Sequence, residues 1–341
     1  MTMDRLRSLG WDASFADAFR PYAASGLAPA RVAARHHGPC VLLDAGGALG
    51  GVPAGGLDEE DLPAVGDWVA TRRLPGERKA VIEAVLPRRT AFLRKEAWRR
   101  TAAQALAANV DVAFLVAAPG RDLSVRRLER YLALAWDSGA EPRIVLTKAD
   151  RADDLAAAAA AVASVAGAVP VHITSSVTGE GVDELRAQLP PGRTGVLLGS
   201  SGVGKSTLAN RLLGRRHFPT RPLRRNDRGR HTTTKRELVL LPGGGLLVDT
   251  PGLREVQLWA DDVAVERTFE DIAALAAECR FRDCRHAREP GCAVVAAVAD
   301  GRLSNERVAS YAKLRRELRA LDARRDERAR ADRRRRGRAA K

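Results

Sequence analysis

The sequence predicts a multidomain chain: an all-β N-terminal part, a central α/β part on a parallel sheet, and a mostly helical C-terminal part that holds a metal. Three observations predict it. Short β-rich runs separated by Gly- and Pro-rich turns fill residues 31–89. From about residue 103, apolar strands alternate with helical stretches. After Leu253, helical periodicity leads into three cysteines and a histidine in one short span.

Residues 1–30 read as an N-terminal extension. They mix Asp, Arg and aromatics and lack the continuous apolar core of a signal peptide. Residues 31–100 carry CVLLDAGG, DWVATRR and KAVIEAVL, with GGVPAGG between the first two, which suits a small barrel or sandwich. In residues 101–258 the strands VDVAFLVAA and RIVLTKAD alternate with VRRLERYLALAWD and DDLAAAAAAVASVA, the pattern of a parallel sheet wrapped by helices. Residues 259–323 are expected to be helical around the metal cluster. Residues 324–341 are dominated by Arg with no apolar face, so this tail is expected to stay disordered until it meets an anion.

The chain carries 57 basic against 42 acidic residues, a formal charge of +15. Such a charge points to a polyanion, nucleic acid or an anionic membrane surface. No segment is long and apolar enough to span a bilayer, so no membrane insertion is expected. Cys40 stands alone while Cys279, Cys284 and Cys292 crowd beside His286. That usage suits a reducing, cytoplasmic setting and a metal rather than a disulfide framework.

The strongest motif lies at Gly195–Thr207, GVLLGSSGVGKST, with an apolar run before it and a helical stretch after it. Across Gly199, Ser200, Ser201, Gly202, Val203, Gly204, Lys205, Ser206 and Thr207, the glycines let backbone N–H groups turn inward around phosphate oxygens, where a Cβ would obstruct them. Lys205 would reach the β- and γ-phosphates and the Ser206 hydroxyl would hold Mg2+. The positive N-terminal end of the following helix adds to this.

A phosphate loop does not choose its base. The choice rests on Thr147, Lys148, Ala149 and Asp150 at the end of the strand RIVL. The Asp150 carboxylate can accept from the ring N–H and the exocyclic amine of guanine; against adenine it would be left unpaired. Lys148 would lie across the base plane. Ile173-Thr174-Ser175-Ser176 ends the next strand, where backbone N–H groups of Ser175 and Ser176 can meet the guanine oxygen. Downstream, Asp249 follows the apolar run GLLVD, which would place it near Mg2+ and the Gly252 N–H near the γ-phosphate. The polar segment Gly229-Arg230-His231-Thr232-Thr233-Thr234 supplies a threonine for the Mg2+ shell; Thr233 is the choice among three. The motifs therefore run in the order base, phosphate loop, switch I, switch II, a circular permutation of the usual GTPase order. GTP and GDP are the expected nucleotides and GTP hydrolysis the expected reaction. Leu253 stands where many GTPases carry a water-orienting glutamine, which leaves His231 as the candidate to substitute, beside Lys205 and Thr233 in the catalytic set. The order also sets switch II against the C-terminal region, so nucleotide state is expected to reach the metal-bearing helices.

Cys279-x4-Cys284-x-His286-x5-Cys292 is a donor set for tetrahedral Zn2+ with every position filled by protein, hence a structural site. Asp283 and Glu289 are candidate outer partners.

LGWD, GDWV, VLPR, QALAANVD, LTKAD, GSSGVGKST, GRHTTT, DTPGL and CRFRDCRHAREPGCAV occur in this order along nearly the whole chain, the Arg-rich tail excepted. Through them the sequence resembles the circularly permuted GTPases of small ribosomal subunit maturation, the RsgA (YjeQ/EngC) family. The resemblance implies an N-terminal OB-fold, a central permuted GTPase domain and a C-terminal zinc domain. It implies contact of all three with the 30S subunit and 16S rRNA, and hydrolysis stimulated by the subunit. It further implies Cys279, Cys284, His286 and Cys292 as zinc ligands and His231 as an aid to hydrolysis. Thr147 departs from the commoner Asn of the base motif. A monomer is expected. A second reading is a signalling-type GTPase whose zinc domain binds a protein; a third is a nucleic-acid-binding module with a degenerate nucleotide site, against which the intact Lys205, Ser206, Asp249 and Asp150 speak.

Overall fold

The computed structural model describes residues 2–35, 39–57, 62–95, 103–120, 123–220, 236–249 and 261–339. Contacts divide the chain into two compact units. The first holds residues 1–131 and 138–257; the second holds 132–137 and 258–341.

The first unit opens on two helices, α1 (Thr2–Ser8) and α2 (Ala13–Ala24). Asp12 caps α2 by accepting from the Phe15 N–H, and it turns the chain so that Trp11, Phe15 and Phe19 are buried. Five strands follow: β1 (Ala28–Arg35), β2 (Cys40–Asp44), β3 (Gly47–Pro53), β4 (Trp68–Arg73) and β5 (Lys79–Val85). They pair in the order β1–β2–β3–β5–β4 and close by β4 on β1, with β3 and β5 parallel and the rest antiparallel. The alternation visible in β2 turns Cys40, Leu42 and Asp44 inward, and Val32, Leu49, Val69 and Ile82 complete the barrel core. This closed five-stranded barrel fits an OB-fold. A two-stranded ribbon, β6 (Ala91–Lys95) with β7 (Ala103–Ala108), leads onward.

Next comes the alternating part: β8 (Val112–Ala117), α3 (Val125–Ser138), β9 (Glu141–Leu146), α4 (Leu155–Ala166), β10 (Val171–Ile173) and α5 (Val182–Ala187). Then follow β11 (Thr194–Leu198), α6 (Lys205–Leu213), β12 (Arg236–Leu240) and β13 (Leu246–Asp249). Every residue of β8 and β11 is buried, as a strand covered on both faces requires. The sheet order β10-β9-β8-β11-β13-β12 shows what the permutation does. The first three strands fill one flank and the last three the other, so the direction of strand order reverses between β8 and β11. Open parallel sheets bind ligands outside their carboxyl ends at such a reversal.

The expected division at residues 100 and 101 meets a stretch of structure paired across it. The boundary falls between the two strands of the β6–β7 ribbon, and the barrel is no separate sheet. Ala34 and Arg35 of β1 pair with Glu237 and Arg236 of β12, which makes one continuous eleven-stranded sheet. Arg31, 1% exposed, ties the join. Its guanidinium donates to the carbonyls of Gly66 (3.2 Å), Leu9 and Asn109 (3.0 Å) and to Thr194 Oγ1 (2.9 Å). Burial pulls its pKa down to about 10 against the pull of Asp111 and Asp67, so it stays charged at neutral pH. Gly66, at φ +94°, is required here, because a Cβ would stand 2.1 Å from the Ala108 carbonyl oxygen.

In the second unit, α7 (Asp262–Thr268), α8 (Glu270–Ala277), α9 (Ala293–Ala299) and α10 (Asn305–Ala339) surround a core of Val265, Phe269, Ile272, Val294 and Tyr311, joined by Leu314 and Leu318, about one and two turns further along α10. Ala133 from the last turns of α3 belongs to the same core. The tail expected to be disordered from residue 324 is instead carried as α10 through Ala339. Arg, Ala and Glu are strong helix formers, so a helix already nucleated by packed turns extends through them at little cost. Among the described residues, no helix is long and apolar enough to cross a membrane.

Candidate nucleotide and metal sites

The phosphate loop joins β11 to α6. Gly199, Gly202 and Gly204 all hold positive φ (+158°, +83° and +101°). Lys205 Nζ reaches back over the loop to the carbonyl oxygens of Gly199 (2.6 Å) and Ser200 (2.5 Å), so the ammonium lies across the loop mouth. Ser206 and Thr207 follow in the first turn of α6, whose N-terminal residue is Lys205. Ser201 is exposed, while Val203 is buried in the core beneath the loop.

The base motif sits against this loop. Thr147, at 1% exposure, closes β9; its Oγ1 donates to the Val203 carbonyl at 2.6 Å and lies 3.0 Å from that of Ala117. Lys148, at φ +57°, puts Nζ 2.7 Å from the Gly202 carbonyl. Two successive residues of the base motif therefore hold the phosphate loop directly. In sequence Thr147 is a departure from the commoner Asn of the base motif; in the fold its hydroxyl holds the phosphate loop. The Ala149 N–H donates to the Thr174 carbonyl at 3.1 Å, which joins the ends of β9 and β10. Asp150 Oδ1 accepts from the buried Ser175 hydroxyl at 2.5 Å, and Ser175 Oγ in turn accepts from the N–H groups of Val177 and Thr178. A carboxylate so oriented can accept from the guanine edge, and the glycine-rich loop beside it, at a helix N-terminus, can hold the phosphates.

Asp249 ends β13, whose Val248 lies in register with Val196 of β11. It therefore reaches the carboxyl end of the sheet on the strand next to the phosphate loop. Ser206 and Asp249 are hard oxygen donors, a set that fits Mg2+. His231, Thr233, Gly252 and Leu253 lie outside the described residues.

The zinc cluster is drawn together between α8 and α9. The donor atoms of Cys279, Cys284, His286 and Cys292 all lie within 4.8 Å of one another. Cys279 Sγ and Cys292 Sγ are 3.8 Å apart, and His286 Nδ1 is 3.6 Å from the first and 3.5 Å from the second. A tetrahedron with Zn–S of about 2.3 Å and Zn–N of about 2.0–2.1 Å has edges of about 3.8 Å and 3.6 Å. The four donors thus fit Zn2+, with Nδ1 as the imidazole donor. His286 turns inward at φ +59°. Glu289 acts on the ring through its charge, while its oxygens accept from the N–H groups of Ala287, Arg288 and Arg285, which hold its carboxyl down at about 2. Cys292 also caps α9 through the Val295 N–H.

The model of the RsgA GTPase family matches residues 85–259. A second model, described as a 50S ribosome-binding GTPase, matches residues 194–326 and so begins at β11, past the base motif, as a permuted chain requires. Over 327 residues the chain is 53% identical to the small ribosomal subunit biogenesis GTPase RsgA of Opitutus terrae, covering 92% of this chain and 89% of the relative. It is 49% identical over 333 residues to the protein of the same name from Streptomyces coelicolor, covering 96% and 90%. The crystal structure of YjeQ from Thermotoga maritima superposes with a TM-score of 0.65 at 27% identity, over 86% of this chain and 98% of that one. That of YloQ, described as a circularly permuted GTPase, matches in fold with a TM-score of 0.62 at 24% identity, over 86% and 96%. A family model over half the chain and relatives this similar across nine-tenths of it agree with the permuted sheet and its phosphate loop: the chain belongs to the RsgA family of ribosome biogenesis GTPases.

Proposed function

We propose that this GTP hydrolase binds the 30S ribosomal subunit and its 16S rRNA, assists late small-subunit maturation as a cytoplasmic monomer, and hydrolyses GTP faster on the subunit. The observation that carries the reading is a guanine site held directly on the phosphate loop, through Thr147 and Lys148, in a chain of net charge +15. Relatives named for small-subunit biogenesis support the choice of partner.

In this reading Asp150, oriented by Ser175, takes the guanine edge and Lys148 covers the base, while the N–H groups of Ser175 and Ser176 meet its oxygen. The Gly199–Thr207 loop cradles the phosphates and Lys205 neutralises their charge. Mg2+, held by Ser206, Asp249 and Thr233, supplies further neutralisation when bound. The Gly252 N–H meets the γ-phosphate, and His231 takes the water-orienting place that Leu253 leaves empty. Zn2+ on Cys279, Cys284, His286 and Cys292 is structural.

GTP turnover with and without purified 30S subunits is the test. Stimulation that fades as salt rises is expected, because Lys and Arg contacts to phosphates release counterions. Unstimulated turnover would return the reading to a signalling-type GTPase whose zinc domain binds a protein.

A further inference from the structure

Two carboxylates stand directly opposite one another at the nucleotide end of the sheet. The β12–β13 register pairs Glu237 with Asp249. Residues so opposed share one face with Cβ atoms about 4.5–5.5 Å apart, where like charges repel. An arrangement of this kind is favoured by positive charge or hydrogen-bond donors on both flanks.

One flank is built. Glu237 Oε1 lies 2.8 Å from His217 Nε2. His217 is itself fixed by α6, the helix that begins at Lys205. Asn210 of α6 accepts through Oδ1 from the N–H groups of His217 (2.9 Å) and Phe218 (2.8 Å), and its Nδ2 donates to the Phe218 carbonyl (2.8 Å). Phe218, 4% exposed, anchors that segment in the core shared by Leu212 and Leu247. A continuous set of contacts therefore runs from the phosphate-loop helix through Asn210 and His217 to Glu237, and ends opposite Asp249. Nothing in the motif logic of the sequence requires these three residues.

We infer that Glu237 is a positioning residue of the nucleotide site: its carboxylate, oriented by His217, places a second negative charge beside Asp249 and strengthens Mg2+-dependent nucleotide binding. Mg2+ keeps several of its waters when bound, so a neighbouring carboxylate can act on it without direct ligation. The inference rests on the reading that Asp249 faces Mg2+.

The test is the affinity of the full chain for a fluorescent GDP analogue, measured with added Mg2+ and after exhaustive dialysis against Mg2+-free buffer. Glu237→Gln is expected to weaken binding about tenfold with Mg2+ and by no more than about twofold without it. Glu237→Asp, which keeps the charge, should recover most of the loss. His217→Gln should show the same Mg2+-selective pattern at about threefold. Equal losses with and without Mg2+, or no loss, would overturn the inference; if Glu237→Gln does not fold, His217→Gln decides alone by the same criterion. Asp249→Asn separates the two readings. If it too lacks a Mg2+-selective loss, the placement of Asp249 at Mg2+ fails; if it alone shows one, only the role of Glu237 fails.

Discussion

The zinc cluster and the nucleotide site are built in opposite ways. All four zinc donors come from one short stretch, Cys279 to Cys292, between two helices. The nucleotide site gathers Thr147, Asp150, Ser175, the loop from Gly199 and Asp249 from four strand ends, and the register of a parallel sheet brings them together. The local site takes its geometry from one stretch of chain, so a metal bound there would hold its own scaffold together. The distributed site depends on the sheet, and its loops only refine what the strands have already placed. Similar polar groups should therefore fail differently in the two places.

Removing the metal should have the largest effect. A structural zinc site carries about 10 kcal/mol or more of binding free energy. Cys292→Ser strips a ligand, the cap of α9 and part of a buried core at once. Limited proteolysis should then cut within residues 261–300; unchanged resistance there would show that the helices hold the donors rather than the reverse. On the sheet side the sharpest blow is Arg31→Leu, which takes the donor from the buried Leu9 and Asn109 carbonyls and the Thr194 hydroxyl, and leaves the Gly66 carbonyl with Asn109 Nδ2 alone. It should cost about 3–5 kcal/mol in denaturant unfolding. A cost under about 1 kcal/mol would mean the barrel and the parallel sheet need no such tie.

A finer change touches the distributed site without touching the sheet. Thr147→Val keeps the shape but removes the donor to the Val203 carbonyl. About 1–1.5 kcal/mol, or roughly tenfold in GDP affinity, should be lost, and Thr147→Ser should restore it. Unaltered affinity would show that Lys148 alone holds the loop. The smallest effect concerns Asp137, in the last turn of α3. Partial desolvation against α7, with the Asp261 carboxylate adding to it, lifts the pKa of this otherwise exposed side chain to about 6 from an ordinary 3.8, although the Asp261 N–H opposes the rise. A raised carboxyl pKa means that the folded state disfavours the charge. The penalty is present in full above pH 6 and is relieved as pH falls from 6 toward 4. Asp137→Asn should therefore raise Tm modestly at pH 7.5 and leave it unchanged near pH 4. The same gain at both values would remove ionisation from the explanation.

The contrast also explains what could be read in advance. The Cys/His cluster was legible because donors, spacing and site are all local. The phosphate loop and base motif were legible as motifs, since glycine and lysine spacing reports directly on backbone geometry. Their junction was not, because Thr147 meets Val203 only once β9 and β11 are placed on either side of β8. Arg31 reads in sequence as one more basic residue of a basic chain; its burial follows from the close of β1 on β4 and the approach of Leu9. The pairing of β1 with β12 links residues some 200 apart and left no local mark. The helical run beyond residue 324 has no apolar face to signal it; propensity and an already packed helix suffice to continue it.

The permuted sheet also has a consequence for the birth of the chain. Val112 of β8 pairs with Gly195 of β11, so one hydrogen-bonding edge of a wholly apolar strand stays unmatched until some 80 further residues are made. At synthesis rates of about 5–20 residues per second that interval lasts about 4–16 s. An unprotected strand edge of this composition is a template for pairing with other nascent chains. The gene order that divides the nucleotide site between early and late segments thus makes this protein's own manufacture its period of greatest exposure to aggregation.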